Sequence, residues 1–251
     1  MKVLVIGEVC IDTFVYGKID RLCPEAPVPV FVPTKETKNS GMGGNVVDNI
    51  RSICPQAEVD FWHQPETINK KRLVDEKTNQ MIVRIDEGEL VPVTEIYKCG
   101  HMNSENLEKI KYYDLVIVSD YNKGFLSDAA LLEIAANAKL SILDSKRTLS
   151  KTIANMYTFV KMNAAEADLN SHIADMSNVI VTLGGEGAKV RGIRYEQENP
   201  QETIDVSGAG DTFVAAFGLE YAKEKNLERA VNYANRAAGI VVGKRGVSTP
   251  F

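Results

Sequence analysis

The sequence predicts an α/β fold: a doubly wound, mostly parallel sheet with a small antiparallel β flap. Two observations predict the sheet. Short continuous β-branched apolar runs each end in a polar residue or a glycine, and helical patterns lie between some of them. A third observation predicts the flap: a proline-dense stretch and a strand of alternating apolar and polar residues, both unlike the rest of the chain.

The runs come first. Residues 3–6 lead to Gly7 and, a little later, Asp12; 115–119 to Asp120; 140–143 to Asp144; 158–162 to Asn163; 179–183 to Gly184 and Gly185. Runs of this kind read as strands buried on both faces, as in a parallel sheet. "SDAALLEIAANAK" reads as a helix capped by Ser127, with Leu131, Leu132 and Ile134 on one face. Alternation of strands and helices makes a doubly wound sheet, and such sheets bind ligands at the carboxyl ends of their strands. The flap follows from "PEAPVPVFVP", with Pro24, Pro27, Pro29 and Pro33, and from "NQMIVRIDEGE", which reads as a half-exposed strand. The alternative is an ordinary surface hairpin beside a proline-rich loop. One domain is expected over 1–251, with flap segments at about 13–38 and 58–92.

Composition narrows the function. The 251 residues are 44% hydrophobic and 25% charged, the profile of a globular chain with a sizeable core. Lys plus Arg number 29 against 34 Asp plus Glu, a net charge of −5 without the footprint of a nucleic-acid binder. Cys10, Cys23, Cys54 and Cys99 form no CxxC pair, and His63, His101 and His172 are scattered. Reduced thiols and no zinc site are expected. The first apolar run is too short for a signal peptide, and none approaches the ~18 residues of a membrane helix. A cytoplasmic protein that engages no membrane is expected.

"TIDVSGAGDTFVAAF", residues 203–217, carries the chemistry. Gly208, Ala209 and Gly210 precede Asp211 where a helical pattern begins. Each glycine costs a helix roughly 1 kcal/mol relative to alanine. Unpaired N–H groups at a helix start suit an anion. An acid beside them makes sense if it takes a proton while the amides hold a charged group in transfer. The alternative is a tight turn followed by a helix-start acid, worth ~0.3–1 kcal/mol. Neither GxxxxGK[ST] nor GxGxxG occurs.

Together with "GMGGNVVDN" and "NAAE" at 163–166, this stretch resembles the ribokinase-like (PfkB-type) carbohydrate kinase family. "GEVCIDTFVYGKIDRLCPEAPVPV", "VRID", "VSDYNKG", "DSK" and "ANRAAGIVVGKRGVST" are similar to the heptose-7-phosphate kinase branch, the kinase half of bifunctional kinase/adenylyltransferases. The resemblance runs with gaps from about residue 3 to 250 and implies ATP and Mg²⁺ as cofactors. It implies Asp211 as catalytic base, and Gly208, Ala209 and Gly210 as the hole for the γ-phosphate. Asn163 and Glu166 would organise Mg²⁺ and its waters; the alternative is a helix cap at Asn163 with a solvated Glu166. Thr182, Gly184 and Gly187 would border the nucleotide. Asn235 and Gly239 would lie near the adenine, although a core asparagine bonded to backbone is nearly as good a reading of Asn235.

On the acceptor side, the resemblance implies that Asp12 grips sugar hydroxyls, with Gly43, Gly44 and Asn45 lining the pocket and Asn49 assisting. Asp120, Lys123, Asp144 and Lys146 match polar positions of the heptose branch without fixed roles; Asp120 and Lys123 are placed with the substrate, Asp144 and Lys146 with the nucleotide. Lys70, Arg72 and Arg84 would supply the cations a sugar phosphate needs, or else are solvated flap charges.

Two features depart from the family pattern. Met42 stands where a glycine is expected. Residues 49–70 are fewer than the pattern calls for, which would thin one sheet edge and favour a homodimer through the flap. The chain ends at "GVSTPF", so only the kinase step is expected of it. The implied reaction is phosphorylation of D-glycero-β-D-manno-heptose 7-phosphate at the anomeric hydroxyl. The alternatives are a related kinase for another sugar or sugar phosphate, and a nucleotide- or sugar-binding regulator without catalysis.

Overall fold

The computed structural model describes residues 1–89, 104–198, 204–244 and 246–251. Positions 90–92 of the expected flap, Cys99 and His101 lie outside them. The chain begins with β1 (Lys2–Gly7), β2 (Val9–Lys18), β3 (Val32–Met42), α1 (Gly43–Ile53) and β4 (Glu58–Trp62). It continues through β5 (Ile68–Asp75), β6 (Met81–Glu87), α2 (Ser104–Lys109), β7 (Leu115–Asp120) and α3 (Asp128–Asn137). Then come β8 (Ser141–Ser145), α4 (Lys151–Met156), β9 (Phe159–Asn163), α5 (Ala164–Leu169) and β10 (Val179–Thr182). The short strands β11 (Ala188–Val190) and β12 (Ile193–Tyr195) precede α6 (Ala209–Glu224) and α7 (Leu227–Val242).

The large sheet has the order β12-β11-β10-β9-β8-β7-β1-β4, and β10 through β4 in that order run parallel. Alternate side chains of each strand enter opposite cores. Leu4, Ile6, Val116 and Val118 pack with Leu131, Ile134 and Ile153 of α3 and α4. Val3, Val5, Leu115 and Ile117 pack with Ile50, Phe213, Phe217 and Val231 of α1, α6 and α7. Both faces are therefore covered, which is why these strands read as unbroken apolar runs. Ser127 caps α3 by accepting from Ala130 N at 3.2 Å, as expected.

The flap is a second, four-stranded sheet of order β3-β2-β5-β6. It is mixed rather than purely antiparallel, because β2 and β5 run parallel. Between them the chain leaves the flap, crosses through α1 and β4, and re-enters in the same direction. β4 itself pairs with β1 on the large sheet, so residues 58–62 are not part of the flap. The proline-rich segment joins β2 to β3 as irregular chain with one bridge, Leu22 to Pro29. β6, an edge strand, is exposed on both faces instead of one, because among the described residues no element covers either face of it.

The position of α6 on the sheet rests on an aromatic stack. Phe217 meets Phe159 edge-on at 5.0 Å and lies parallel to Phe213 at 6.3 Å. Phe217→Ala is expected to cost about 3–5 kcal/mol in denaturant unfolding. A loss below about 1 kcal/mol would mean that this stack does not seat the helix.

Candidate active site

At the start of α6, Gly208 has φ 82°, the left-handed conformation that glycine adopts freely. It turns the chain so that α6 points its first turn at the carboxyl ends of β8 and β9. Among the described residues, the N–H groups of Gly210 and Asp211 have no backbone acceptor. Beside them lies Lys161, whose Nζ would be 2.8 Å from a Cβ placed on Gly210. Any side chain at 210 would push this ammonium away. A cation and free amides thus converge on one point.

Asp211 is 6% exposed. Its Oδ2 accepts from Asn45 Nδ2 at 2.8 Å and its Oδ1 from Tyr121 Oη at 3.0 Å. Burial pushes the carboxyl up to about 6. The Asn45 hydrogen bond opposes that rise, the charge of Asp144 adds to it, and the charge of Lys161 and the Tyr121 hydrogen bond oppose it. Asn45 is itself fixed: its backbone carbonyl and Oδ1 accept from Asn49 Nδ2, and Asn49 Oδ1 accepts from Thr212 Oγ1 at 2.8 Å. Tyr121 sits on a loop shaped by buried Glu8, which accepts from the N–H groups of Tyr121, Lys123 and Phe125. Burial, with Asp120 nearby, raises the Glu8 carboxyl.

Asp144 and Lys161 are cross-strand neighbours on β8 and β9, with Nζ 2.9 Å from Oδ2. Lys146 Nζ contacts Glu166 Oε1 and lies 3.7 Å from Asp144 Oδ1. That Oδ1 is buried without a hydrogen-bond partner. Although burial would raise the Asp144 carboxyl, the two lysines hold it below the usual range. Burial would likewise lower the Lys146 ammonium, but Asp144 and Glu166 hold it above. The Tyr121 ring carries Lys146 on one approach at 5.5 Å and Lys70 on another at 5.8 Å.

Three contiguous cavities meet here. The first holds Asp144, Lys146, Lys161, Asn163 and the start of α6. The second, beneath the flap, is lined by Cys10, Asp12, Gly41, Met42, Asn45, Lys70, Arg72 and Ser207. Tyr121, Gly208 and Asp211 line both. The third, mostly apolar, is lined by Gly187, Gln197, Phe213, Asn235 and Gly239, and shares Thr182, Gly184, Val206 and Gly210 with the first. Asn235 Nδ2 donates to Tyr195 O at 2.9 Å. It is thus a backbone-bonded asparagine that also lines the cavity.

The structure brings together most of the residues singled out from the sequence and sets others apart. Arg72 faces the flap cavity and pairs with Asp12 at 2.5 Å. Arg84 pairs instead with Asp86, Nε to Oδ1 2.7 Å, on the exposed edge strand. Asp120 is wholly buried and fully engaged, by Arg147 Nε at 2.6 Å and Nη2 at 2.9 Å and by Ser145 Oγ at 2.6 Å. Lys123 pairs with Glu89 at 3.0 Å. Gly43 and Gly44 pack against Glu8, Phe61, Ser40 and Val9, so Gly41 and Met42 line the cavity in their stead. Asn49 supports Asn45 rather than facing the cavity. Asn163 does cap α5, in a reciprocal pair with Glu166. Glu166 is buried against Lys146, not solvated. Lys161 and Tyr121 were given no role by sequence reasoning. The signal for Lys161 was a lone lysine inside a strand otherwise apolar, since a lysine there is buried only with a partner.

Solved structures share this architecture. Ribokinase from Thermotoga maritima superposes with a TM-score of 0.71 at 17% identity, over 98% of this chain and 94% of that one. Arabidopsis thaliana ribokinase, complexed with ribose and ATP, gives 0.69 at 15%, over 97% and 93%. The fold is therefore ribokinase-like. Residues 56–251 match the description "pfkB family carbohydrate kinase", and the chain belongs to that family: it is a phosphotransferase acting on sugar hydroxyls. Bifunctional protein HldE from a Nitratiruptor species is 33% identical over 298 aligned residues, covering 99% of this chain and 63% of the relative. The chain thus spans just under two thirds of the curated relatives it matches. That alignment is longer than the 251 residues present, so the relative carries insertions with respect to this chain.

Because Asp144 is buried, it depends on its closer cation. Lys161→Met is expected to lower stability by about 3–5 kcal/mol in denaturant unfolding at neutral pH. A loss under about 1 kcal/mol would mean that Lys146 alone balances the carboxylate.

Proposed function

We propose that this chain transfers the γ-phosphoryl group of ATP to a hydroxyl of a sugar phosphate, with Asp211 as the base. One observation carries the proposal: Asp211 lines both the flap cavity and the cation-lined cavity, at the start of α6. The acceptor hydroxyl enters from beneath the flap and attacks the γ-phosphorus. The bond from that phosphorus to the bridging oxygen of ADP breaks, and the hydroxyl proton passes to Asp211. Free amides at the start of α6 and the Lys161 ammonium hold the transferring group. The third cavity takes the adenine, with Asn235 Oδ1 free to accept because its amide nitrogen is used by Tyr195. Asp12, Lys70 and Arg72 hold the acceptor, the last two through its phosphate.

Mg²⁺ fits this site as a passenger on the nucleotide. No cluster of three or more metal-ligating side chains occurs among the described residues. The unpartnered Oδ1 of Asp144 and the Glu166 carboxylate are oxygen donors of the kind that hold its waters. When bound, the ion supplies neutralising charge on the phosphate oxygens.

Similarity to HldE and the Lys70–Arg72 pair support a heptose 7-phosphate as acceptor. In this reading the chain performs a kinase step at the anomeric hydroxyl, in the cytoplasm. Among the described residues no helix is long and apolar enough to cross a membrane. The exposed Met81, Ile82, Val83 and Ile85 of edge strand β6 support a homodimer formed through the flap. Met42, in the cavity wall, favours a second reading, a kinase for a differently shaped sugar phosphate.

The test is ADP release with Mg-ATP and D-glycero-D-manno-heptose 7-phosphate, beside ribose, fructose 6-phosphate and a no-sugar control. Asp211→Asn should retain ATP binding and lose roughly 10²–10⁴-fold in turnover. Near wild-type turnover in that variant would remove Asp211 as base. Turnover with another sugar only would discard the heptose assignment.

A further inference from the structure

We infer that Met42 sets the size of the acceptor pocket, and that the fold holds it there against its own backbone preference. The inference rests on the kinase reading only in taking the flap cavity as the acceptor's. Met42 has φ 56° and ψ −133°. Side-chained residues almost never adopt that combination, and glycine does so readily. Its neighbours leave it no choice. Met42 is the last residue of β3, in register with Val9 of β2, and the next N–H, that of Gly43, donates to Glu8 O at 2.8 Å. The backbone is thus pinned on both sides of the strained residue.

A glycine would remove the strain, so the side chain does something that glycine would not. It is 3% exposed and packs with Cys10 and Ile68 and against Tyr121. It also lines the cavity together with polar groups that include Asp12, Lys70 and Asp211. Met42 and Val247 therefore form the aliphatic part of a lining that is otherwise largely polar. An acceptor that fits turns a C–H face to Met42 and its hydroxyls to Asp12 and Asp211. Acceptors with an added substituent on that face meet the wall. The expected chemical class is a sugar phosphate without a substituent on the face turned to Met42. Where it meets an apolar wall, one extra group about the size of a methylene changes selectivity roughly 10–200-fold.

The experiment compares wild type, Met42→Gly and Met42→Ala. Each is assayed for kcat/KM with ribose 5-phosphate, fructose 6-phosphate and D-glycero-D-manno-heptose 7-phosphate, and the same sugars are tested for thermal stabilisation with ADP present. Both variants should shift preference toward the bulkier acceptors by about tenfold or more, in binding as in turnover. Met42→Gly should also melt above Met42→Ala, the reverse of the usual order, because only glycine relieves the backbone. An unchanged size preference overturns the inference, and so does an alanine variant that melts at or above the glycine variant. If sugars bind with the expected shift but no protein turns over, the kinase reading fails and the role of Met42 stands. If no sugar binds to any of the three, both fail.

Discussion

A carboxylate taken out of water prefers to be neutral, and Asp211 is such a carboxylate. Its pKa is raised by burial from 3.8 to about 6. The sign of the consequence for folding is fixed. Between those values the folded chain binds more protons at Asp211 than the unfolded chain, so stability falls as pH climbs through about 6. At neutral pH the fold therefore carries an ionised group at its own expense. Much of the site serves to keep it ionised. Asn45 and Tyr121 donate to its two oxygens, Lys161 adds a nearby positive charge, and the start of α6 adds its dipole.

That requirement explains how distant segments are tied together. Asn45 lies just past the junction where β3 leaves the flap and α1 begins, so the flap and Asp211 are mechanically linked. Tyr121 follows β7, and its loop is held by Glu8 from the junction of β1 and β2. Lys161 comes from β9, and its partner Asp144 from β8. Each of these residues sits at or near the end of a strand. A doubly wound sheet gathers such ends along one edge, and the flap closes over that edge. Around one buried charge the lysines and acids alternate, Lys161 with Asp144 and Lys146 with Glu166. None is left unpaired in a medium where an isolated charge would be costly.

Much of this was legible before any coordinates. Apolar runs ending in polar residues gave both the parallel sheet and the edge where the site lies, because strands buried on both faces have nothing polar until they end. The small residues before Asp211 marked the tight turn at the start of α6, because only small residues let backbone and the Lys161 ammonium come so close. Long-range pairing was not legible. Asp120 follows a strand just as Asp144 does, yet it meets Arg147 and is consumed structurally. Arg84 looks like Arg72, but it stands on the outer strand, where Asp86 is two residues away. The flap's mixed strand order also lay beyond the sequence, since it depends on β4 leaving to join the large sheet. Met42 was visible as a departure from pattern, but its strain became visible only with its backbone angles.

The most direct test of this account is the pH dependence of kcat/KM for the wild type and for Tyr121→Phe, with the best acceptor. A base must be ionised, so the wild-type profile should fall below about pH 6, where Asp211 takes its proton. Tyr121→Phe removes a hydrogen bond that favours the ionised form, so its acid limb should lie at higher pH than that of the wild type. A wild-type limb near the ordinary aspartate value of 3.8, or one that the Tyr121 variant does not move, would contradict the claim that a buried, hydrogen-bonded Asp211 governs the chemistry.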